Sequence, residues 1–185
     1  MNLNTDFSKF PILTTDQLIL REVEDGDVDE IFFLRSDKEI MKYIPRPPAK
    51  TKKDALDHIE VLRKAKENQE GINWAITQKG NDTLIGIMGL FQINKRDFRA
   101  EIGYILHPGY QGKGIISEAI QRIIEFGFEH INLHTLTAII DPRNIASEKV
   151  LQRANFVKEA HFREDCCYEG EFLDSVHYSI INPKH

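Results

Sequence analysis

The sequence predicts a mixed α+β fold: a central, twisted, mostly antiparallel sheet with one parallel, splayed strand pair and helices on both faces, formed as a single domain over residues 1–185. Three observations predict it. Strand-like apolar runs recur at short intervals between residues 72 and 106, the pattern of a meander. From Ile115 the period switches to that of an amphipathic helix. A further strand follows that helix, so the strand, helix, strand unit over 100–140 closes as a right-handed parallel crossover in an otherwise antiparallel sheet.

Leu18-Ile19-Leu20-Arg21-Glu22-Val23 reads as the first strand, and Asp25 to Arg35 as a helix opened by the cap-like Asp25-Gly26-Asp27. Pro45-Arg46-Pro47-Pro48 is a loop before a second helix from about Thr51 to Gln69. Three strands follow: Ile72 to Thr77, Leu84 to Ile93 after the Gly80-Asn81-Asp82 turn, and Ala100 to Leu106 after Lys95-Arg96-Asp97. The clearest helix places Ile115, Ile116, Ala119, Ile120, Ile123, Ile124 and Gly127 on one stripe and Ser117, Glu118, Gln121, Arg122 and Glu125 on the other. Thr135 to Ile140 is the next strand, then a helix capped by Asn144 and carrying Ile145, Ala146, Val150, Leu151 and Ala154. Two strands close the chain, near Phe156 to Phe162 and Phe172 to Ile180.

The chain has 185 residues with 24 Lys+Arg against 29 Asp+Glu, a formal charge of −5, and 41% hydrophobic residues, a composition suited to a folded core without a disulfide or metal staple. The acidic balance argues against direct nucleic acid binding, which favours a concentrated basic surface. Cys166 and Cys167 are adjacent, unsuited to a loop-closing disulfide or a metal cage, and point to a reducing, cytoplasmic location. No apolar run reaches the ~18 residues of a membrane span, and the start Met1-Asn2-Leu3-Asn4 lacks the regions of a secretion signal, so no membrane partner is expected.

The chemistry concentrates in Ile102-Gly103-Tyr104-Ile105-Leu106-His107-Pro108-Gly109-Tyr110-Gln111-Gly112-Lys113-Gly114-Ile115-Ile116-Ser117. A glycine-rich turn here joins a strand to a long helix. Gly112 and Gly114 let backbone N–H groups converge, and the helix adds its unpaired first-turn donors and dipole. That is a phosphate cradle, to which Lys113 adds a cation and Ser117 a hydroxyl. The alternative is a tight turn without a ligand. A P-loop does not fit, because His107 stands five before Gly112 and Gly114 follows Lys113. A dinucleotide fingerprint lacks its third glycine, at Ser117.

Gln111-Gly112-Lys113-Gly114-Ile115-Ile116 resembles the Gln/Arg-x-x-Gly-x-Gly/Ala pyrophosphate loop of the GNAT superfamily of acyl-coenzyme A dependent N-acetyltransferases. Thr15-Asp16-Gln17-Leu18-Ile19-Leu20-Arg21 is similar to that family's first strand. Asp141-Pro142-Arg143-Asn144-Ile145-Ala146-Ser147 and Leu151-Gln152-Arg153-Ala154-Asn155-Phe156 resemble its late helix and exit. The resemblance spans nearly the whole chain and is nearest to the branch named for ribosomal-protein-alanine N-acetyltransferases. Two positions depart from the pattern. Ile116 stands where the family usually has Gly or Ala, and Leu151 stands where many relatives place a tyrosine that protonates the departing thiolate.

The resemblance implies acetyl-coenzyme A (acetyl-CoA) as co-substrate, no metal, and an amine acceptor, either a protein N-terminus or a small molecule, served by a monomer or homodimer. Pantetheine would lie beside Ile105, Leu106 and His107, pairing with their backbone like an added strand, while Gln111, Gly112, Lys113, Gly114, Ile115, Ile116 and Ser117 hold the pyrophosphate and Asn144 bonds the pantetheine or thioester region. Gly103 fits a close approach of another backbone or a bulge, or a plain kink. Glu101 shares a strand face with Gly103 and Ile105, so it can look into the cleft as the base acting through water; its alternative is a solvated surface carboxylate. Ser147 donates to the thiolate or caps its helix. Tyr104 faces opposite Glu101, toward the core. The acceptor walls are expected from the first two helices, around Phe33, Tyr43 and Pro45, with Trp74 lining the pocket or packing in the core.

An α-amino group near 7.7 to 8.0 is already roughly a tenth neutral at pH 7, whereas a lysine amine near 10.4 needs about 4 to 5 kcal/mol to lose its proton, so a water-relayed glutamate suits a weakly basic amine. His130 and His134 lack a third ligand for zinc. Asp165 and Glu169 surround the two cysteines with negative charge, the wrong setting for a nucleophile. From another functional class, the rival is a catalytically silent acyl-CoA sensor or interaction module on the same fold, to which Leu151 lends weight.

Overall fold

Strand-forming segments rich in Ile and Leu assemble, in the computed structural model describing residues 2–184, into an eight-stranded sheet of order β1-β2-β3-β4-β5-β6-β8-β7. The strands are β1 (Leu13–Thr14), β2 (Leu18–Glu22), β3 (Ile72–Gln78), β4 (Asn81–Asn94), β5 (Arg99–Leu106), β6 (Thr135–Ile140), β7 (Val157–Tyr168) and β8 (Glu171–Ile181). Every neighbouring pair is antiparallel except β5 and β6, joined by the helix between them. The helices are α1 (Val28–Ser36), the one-turn α2 (Lys38–Met41), α3 (Lys52–Glu67), α4 (Ile115–Phe126) and α5 (Ile145–Arg153).

Alternation along the strands sends side chains to two faces, and each face is covered. On one, the stripe of α4 packs with Leu18, Leu20, Trp74, Ile76, Ile102, Leu136 and, from α5, Leu151. On the other, α1 and α3 bury Ile31, Leu34, Ala55 and Ile59 against Ala75 and Ile87. Thr51 caps α3 reciprocally with Asp54, and the Asn144 Oδ1 accepts from the Ser147 N–H at 3.1 Å to cap α5.

The sequence reading and the structure differ in several segments. Asp25–Asp27 forms a 3-10 turn before α1, held by a reciprocal cap between Glu24 and Asp27. The two-residue β1 and one-turn α2 are too short for a periodic signal to register. Beyond α4 the chain widens into a π-type turn over Gly127–Ile131 that ends at Asn132, φ 70°. The last two strands run on to Tyr168 and start again at Glu171, longer than their apolar stretches, because β7 is exposed along most of its length and carries no buried face to betray it.

Candidate active site

The parallel pair is registered at three positions only: Arg99 with Thr135, Ala100 with Leu136 and Glu101 with Thr137. Beyond them β5 runs on to Leu106 and β6 to Ile140 without pairing, which opens a gap between the strands. The His107 N–H donates to the Ile85 carbonyl at 2.8 Å on the β4 side. Backbone groups alternate sides along a strand, so those of Ile105 also turn toward β4, where it is registered with Ile87. Tyr104 and Leu106 therefore turn their N–H and C=O groups into the gap. This corrects the expectation for Ile105, Leu106 and His107: Leu106 faces the gap, Ile105 and His107 do not, and Tyr104 joins it.

Gly103 sits opposite Gly89, and a Cβ there would come within 2.8 Å of the Phe91 ring. The crowding neighbour is a side chain rather than another backbone. The bulge that re-aims this part of the sheet lies in β4, where the register shifts between Phe91 and Asn94 and Gln92 takes φ 52°.

At the open end of the gap, Gly112 and Gly114 adopt φ 73° and 78°, and a Cβ on either meets nothing within 4 Å. Conformation, not space, requires glycine here. The Glu118 N–H makes the first helical bond of α4, to the Gly114 carbonyl at 2.9 Å, so the N–H groups of Ile115, Ile116 and Ser117 have no partner within the helix. The Ile115 and Ile116 side chains are buried beneath, which anchors the helix start and leaves the loop's outer surface clear of the Ile116 side chain. Gln111 and Lys113 are exposed, with the Lys113 Nζ 5.1 Å from the centre of the Tyr110 ring. The arrangement fits a pyrophosphate: converging backbone donors, a helix N-terminus and a free cation.

Between the helices and the gap lies a cavity of about 680 Å³, lined among others by Tyr43, Glu101, Ile105, Asn144 and Ser147. Asn144 uses its side-chain oxygen as a cap, which leaves its amide N–H groups available to a ligand. The Tyr104 hydroxyl donates to the Ser147 carbonyl at 3.4 Å, and burial pushes its pKa up to about 12. Tyr104 thus lines the cavity rather than lying wholly in the core. Glu101 is half-buried; burial raises its carboxyl above the ordinary carboxylate range, with Arg46 and Arg99 pulling the other way.

His58 of α3 lines the same cavity. Burial, reinforced by repulsion from Arg35 and Arg46, holds it down to about 4, so it is neutral at pH 7. Its folded value lies below its ordinary 6.5, so its contribution to stability is complete above that pH and is lost as pH falls toward about 4. Urea unfolding should show the parent losing about 1–2 kcal/mol across this window and His58→Asn losing correspondingly less. Equal slopes in the two proteins would contradict this placement of the imidazole.

Two expected acceptor residues lie elsewhere. Trp74 is fully buried against Phe126, with its indole N–H donating to the Pro11 carbonyl at 2.8 Å, because position 74 faces α4 rather than α1 and α3. Phe33 stacks on His107, ring centres 4.7 Å apart, beside the turn at 108–110 and outside the cavity lining. Arg35, Arg46 and His58, not anticipated from the sequence, line the cavity instead. Leu151 is fully buried, Cys166 lines the cavity half-buried and Cys167 is exposed.

Residues 17–157 match the acetyltransferase (GNAT) domain family. The uncharacterized N-acetyltransferase YoaA of Bacillus subtilis (strain 168) is 32% identical over 175 residues, 95% of this chain and 99% of that one. Among solved structures, spermidine N-acetyltransferase from Vibrio cholerae in complex with CoA and spermine aligns with a TM-score of 0.80 at 28% identity, covering 91% of this chain and 97% of its own. Ribosomal-protein-S5-alanine acetyltransferase from Vibrio fischeri aligns with a TM-score of 0.82 at 25% identity, covering 94% and 97%.

Proposed function

We propose, from the premise that this chain belongs to the GNAT acetyltransferase family, that it acetylates a weakly basic primary amine, a protein N-terminus or a small amine, by direct attack within a ternary complex in the cytoplasm. The enzyme is an N-acetyltransferase that uses acetyl-CoA, which supplies the acetyl group as an activated thioester. One observation carries the reading: a glycine-built cradle and an unpaired strand edge flank one end of a gap whose other side opens on a half-buried carboxylate.

The N–H groups of residues 112–117 hold the pyrophosphate, and the free backbone of Tyr104 and Leu106, with the Asn144 amide, holds the pantetheine arm. Glu101 takes the amine's proton through water, a role favoured by a carboxyl pKa raised toward neutrality. The nitrogen bonds to the acetyl carbon as the carbon–sulfur bond breaks, and the departing sulfur needs a proton. Leu151 cannot give one. The Tyr104 hydroxyl, protonated at neutral pH and set at the Ser147 end of the gap, is the donor; Ser147, whose backbone N–H is held by the Asn144 cap, lines the cavity beside it.

The experiment combines thermal unfolding with turnover. Acetyl-CoA at a hundredfold excess over its dissociation constant should add about 2.7 kcal/mol of stability, with ATP and NAD adding far less, and a panel of amines should release free thiol from it. Equal stabilisation by ATP would sink the cradle assignment. Tight acetyl-CoA binding without thiol release from any amine would favour the silent module, the alternative that Leu151 supports.

A further inference from the structure

The acceptor end of the cavity carries charges that acetyl transfer itself does not need. Arg35, in the last turn of α1, and Arg46, at the mouth in the proline loop, line it with His58. The loop is built to hold them. Its Ile44 N–H donates to the Met41 carbonyl at 2.8 Å, the Ala49 N–H donates to the Arg35 carbonyl at 2.9 Å, and Pro45, Pro47 and Pro48 fix the backbone around Arg46.

Among the described residues the arginines in ion pairs are Arg21, Arg63, Arg96, Arg122 and Arg143; Arg35 and Arg46 are not among them. Two carboxylates elsewhere in the lining are already engaged. Asp141 pairs with Arg143 at 2.5 Å, and Asp174 pairs with His161 at 2.8 Å and accepts from the Glu164 N–H at 3.0 Å. Glu101 is left near Arg46 and Arg99. Arg35 is partly buried and Arg46 exposed on the same lining, and their mutual repulsion is relieved by an anion bound between them.

We propose that the acceptor is a small amine carrying an anionic group, a carboxylate or a phosphate, which docks on Arg35 and Arg46 while its amine reaches Glu101. The inference rests on the acetyltransferase reading of this cavity. The planar guanidinium fork suits both oxyanions, and a cavity of about 680 Å³ accommodates a small acceptor beside the donor's reactive end. A polycation would meet two like charges where it needs acids, so the same pair selects against polyamines.

The test measures kcat/KM for pairs of weakly basic α-amines differing in the anion: glycylglycine against its amide, and O-phosphoserine amide against serinamide, with spermidine as the polycation. The parent should favour the anionic member of at least one pair by about tenfold to a hundredfold through KM, and the favoured pair identifies the oxyanion. In Arg35→Gln and Arg46→Gln that ratio should fall toward one, with partial recovery in the Lys variants. The parent's ratios decide the matter should a variant fail to fold. Equal rates within both pairs, or a preference for spermidine, would overturn the inference and leave the acetyltransferase reading standing. A ratio unchanged in the Gln variants, or a loss confined to acetyl-CoA affinity measured without amine, would also overturn it. Acetyl-CoA binding with no thiol release from any amine would instead overturn the underlying reading.

Discussion

Gly114→Val should abolish the stabilisation that acetyl-CoA gives the parent and raise its dissociation constant by about 10²-fold or more, while the circular dichroism of the free protein stays nearly unchanged. Gly114 sits at φ 78° as the cap of α4, a left-handed conformation that costs an L-residue roughly 1–2 kcal/mol and a β-branched one more. Relieving that strain turns the peptide planes on either side of it. The Ile115 and Ile116 N–H groups then lose their common aim, and a pyrophosphate needs several donors aimed at once. The core escapes because a Cβ at this position meets nothing within 4 Å and the side chains beneath are those of Ile115 and Ile116. Isothermal titration with acetyl-CoA, beside a thermal melt of the unliganded variant, separates the two effects. Retained tight binding would show that the loop is only a turn.

Glu101→Gln should lower turnover by roughly 10²-fold or more at neutral pH with acetyl-CoA affinity nearly unchanged, because the lost function is proton removal rather than donor binding. The deficit should shrink as pH rises toward the amine's own pKa, where solution supplies the neutral nucleophile. A pH-independent deficit would identify Glu101 as a positioning group instead. Stability gives an independent readout. The folded carboxyl titrates above its ordinary value because it is buried, so its favourable contribution is present below that ordinary value, near 4.3, and is lost as pH rises through the folded pKa. Glutamine removes that cost, and the variant should melt no lower than the parent at pH 7. A variant that melts well below the parent at pH 7 would mean that the carboxylate holds Arg46 and Arg99 in a structural pair.

How far the site could be read from the chain depends on whether its parts are local. The strand, glycine turn and helix over 99–126 are contiguous, and the Ile115 to Ile124 stripe has an unambiguous period, so the candidate cradle can be read from the sequence residue by residue. Trp74 was harder, because β3 is buried on both faces and alternation alone does not say which face a given position joins. The acceptor charges were harder still. Arg35, Arg46 and His58 come from a helix end, a loop and the middle of another helix, and each read singly is an ordinary surface residue. The one local hint was an arginine set among prolines. Strand parity points Tyr104 toward the core, but the parting of β5 from β6 exposes part of that face.

That parting divides the sheet unequally, five strands on one side and three on the other, joined by three registered pairs. Elsewhere neighbouring halves of a sheet are tied by a full ladder, but here the ladder stops where the cavity begins. What spans the divide is α4, whose buried stripe belongs to one cluster with Leu20 and Ile102 of the larger part and with Ala138, Val176 and Tyr178 of the smaller. The molecule is in mechanical terms a hinge with a strut. The paired residues 99–101 of β5 and 135–137 of β6 form the pivot, and α4 sets how far the two leaves stand apart. The gap's width is then governed by packing beneath the sheet, a property adjustable through the volume of side chains that no ligand touches.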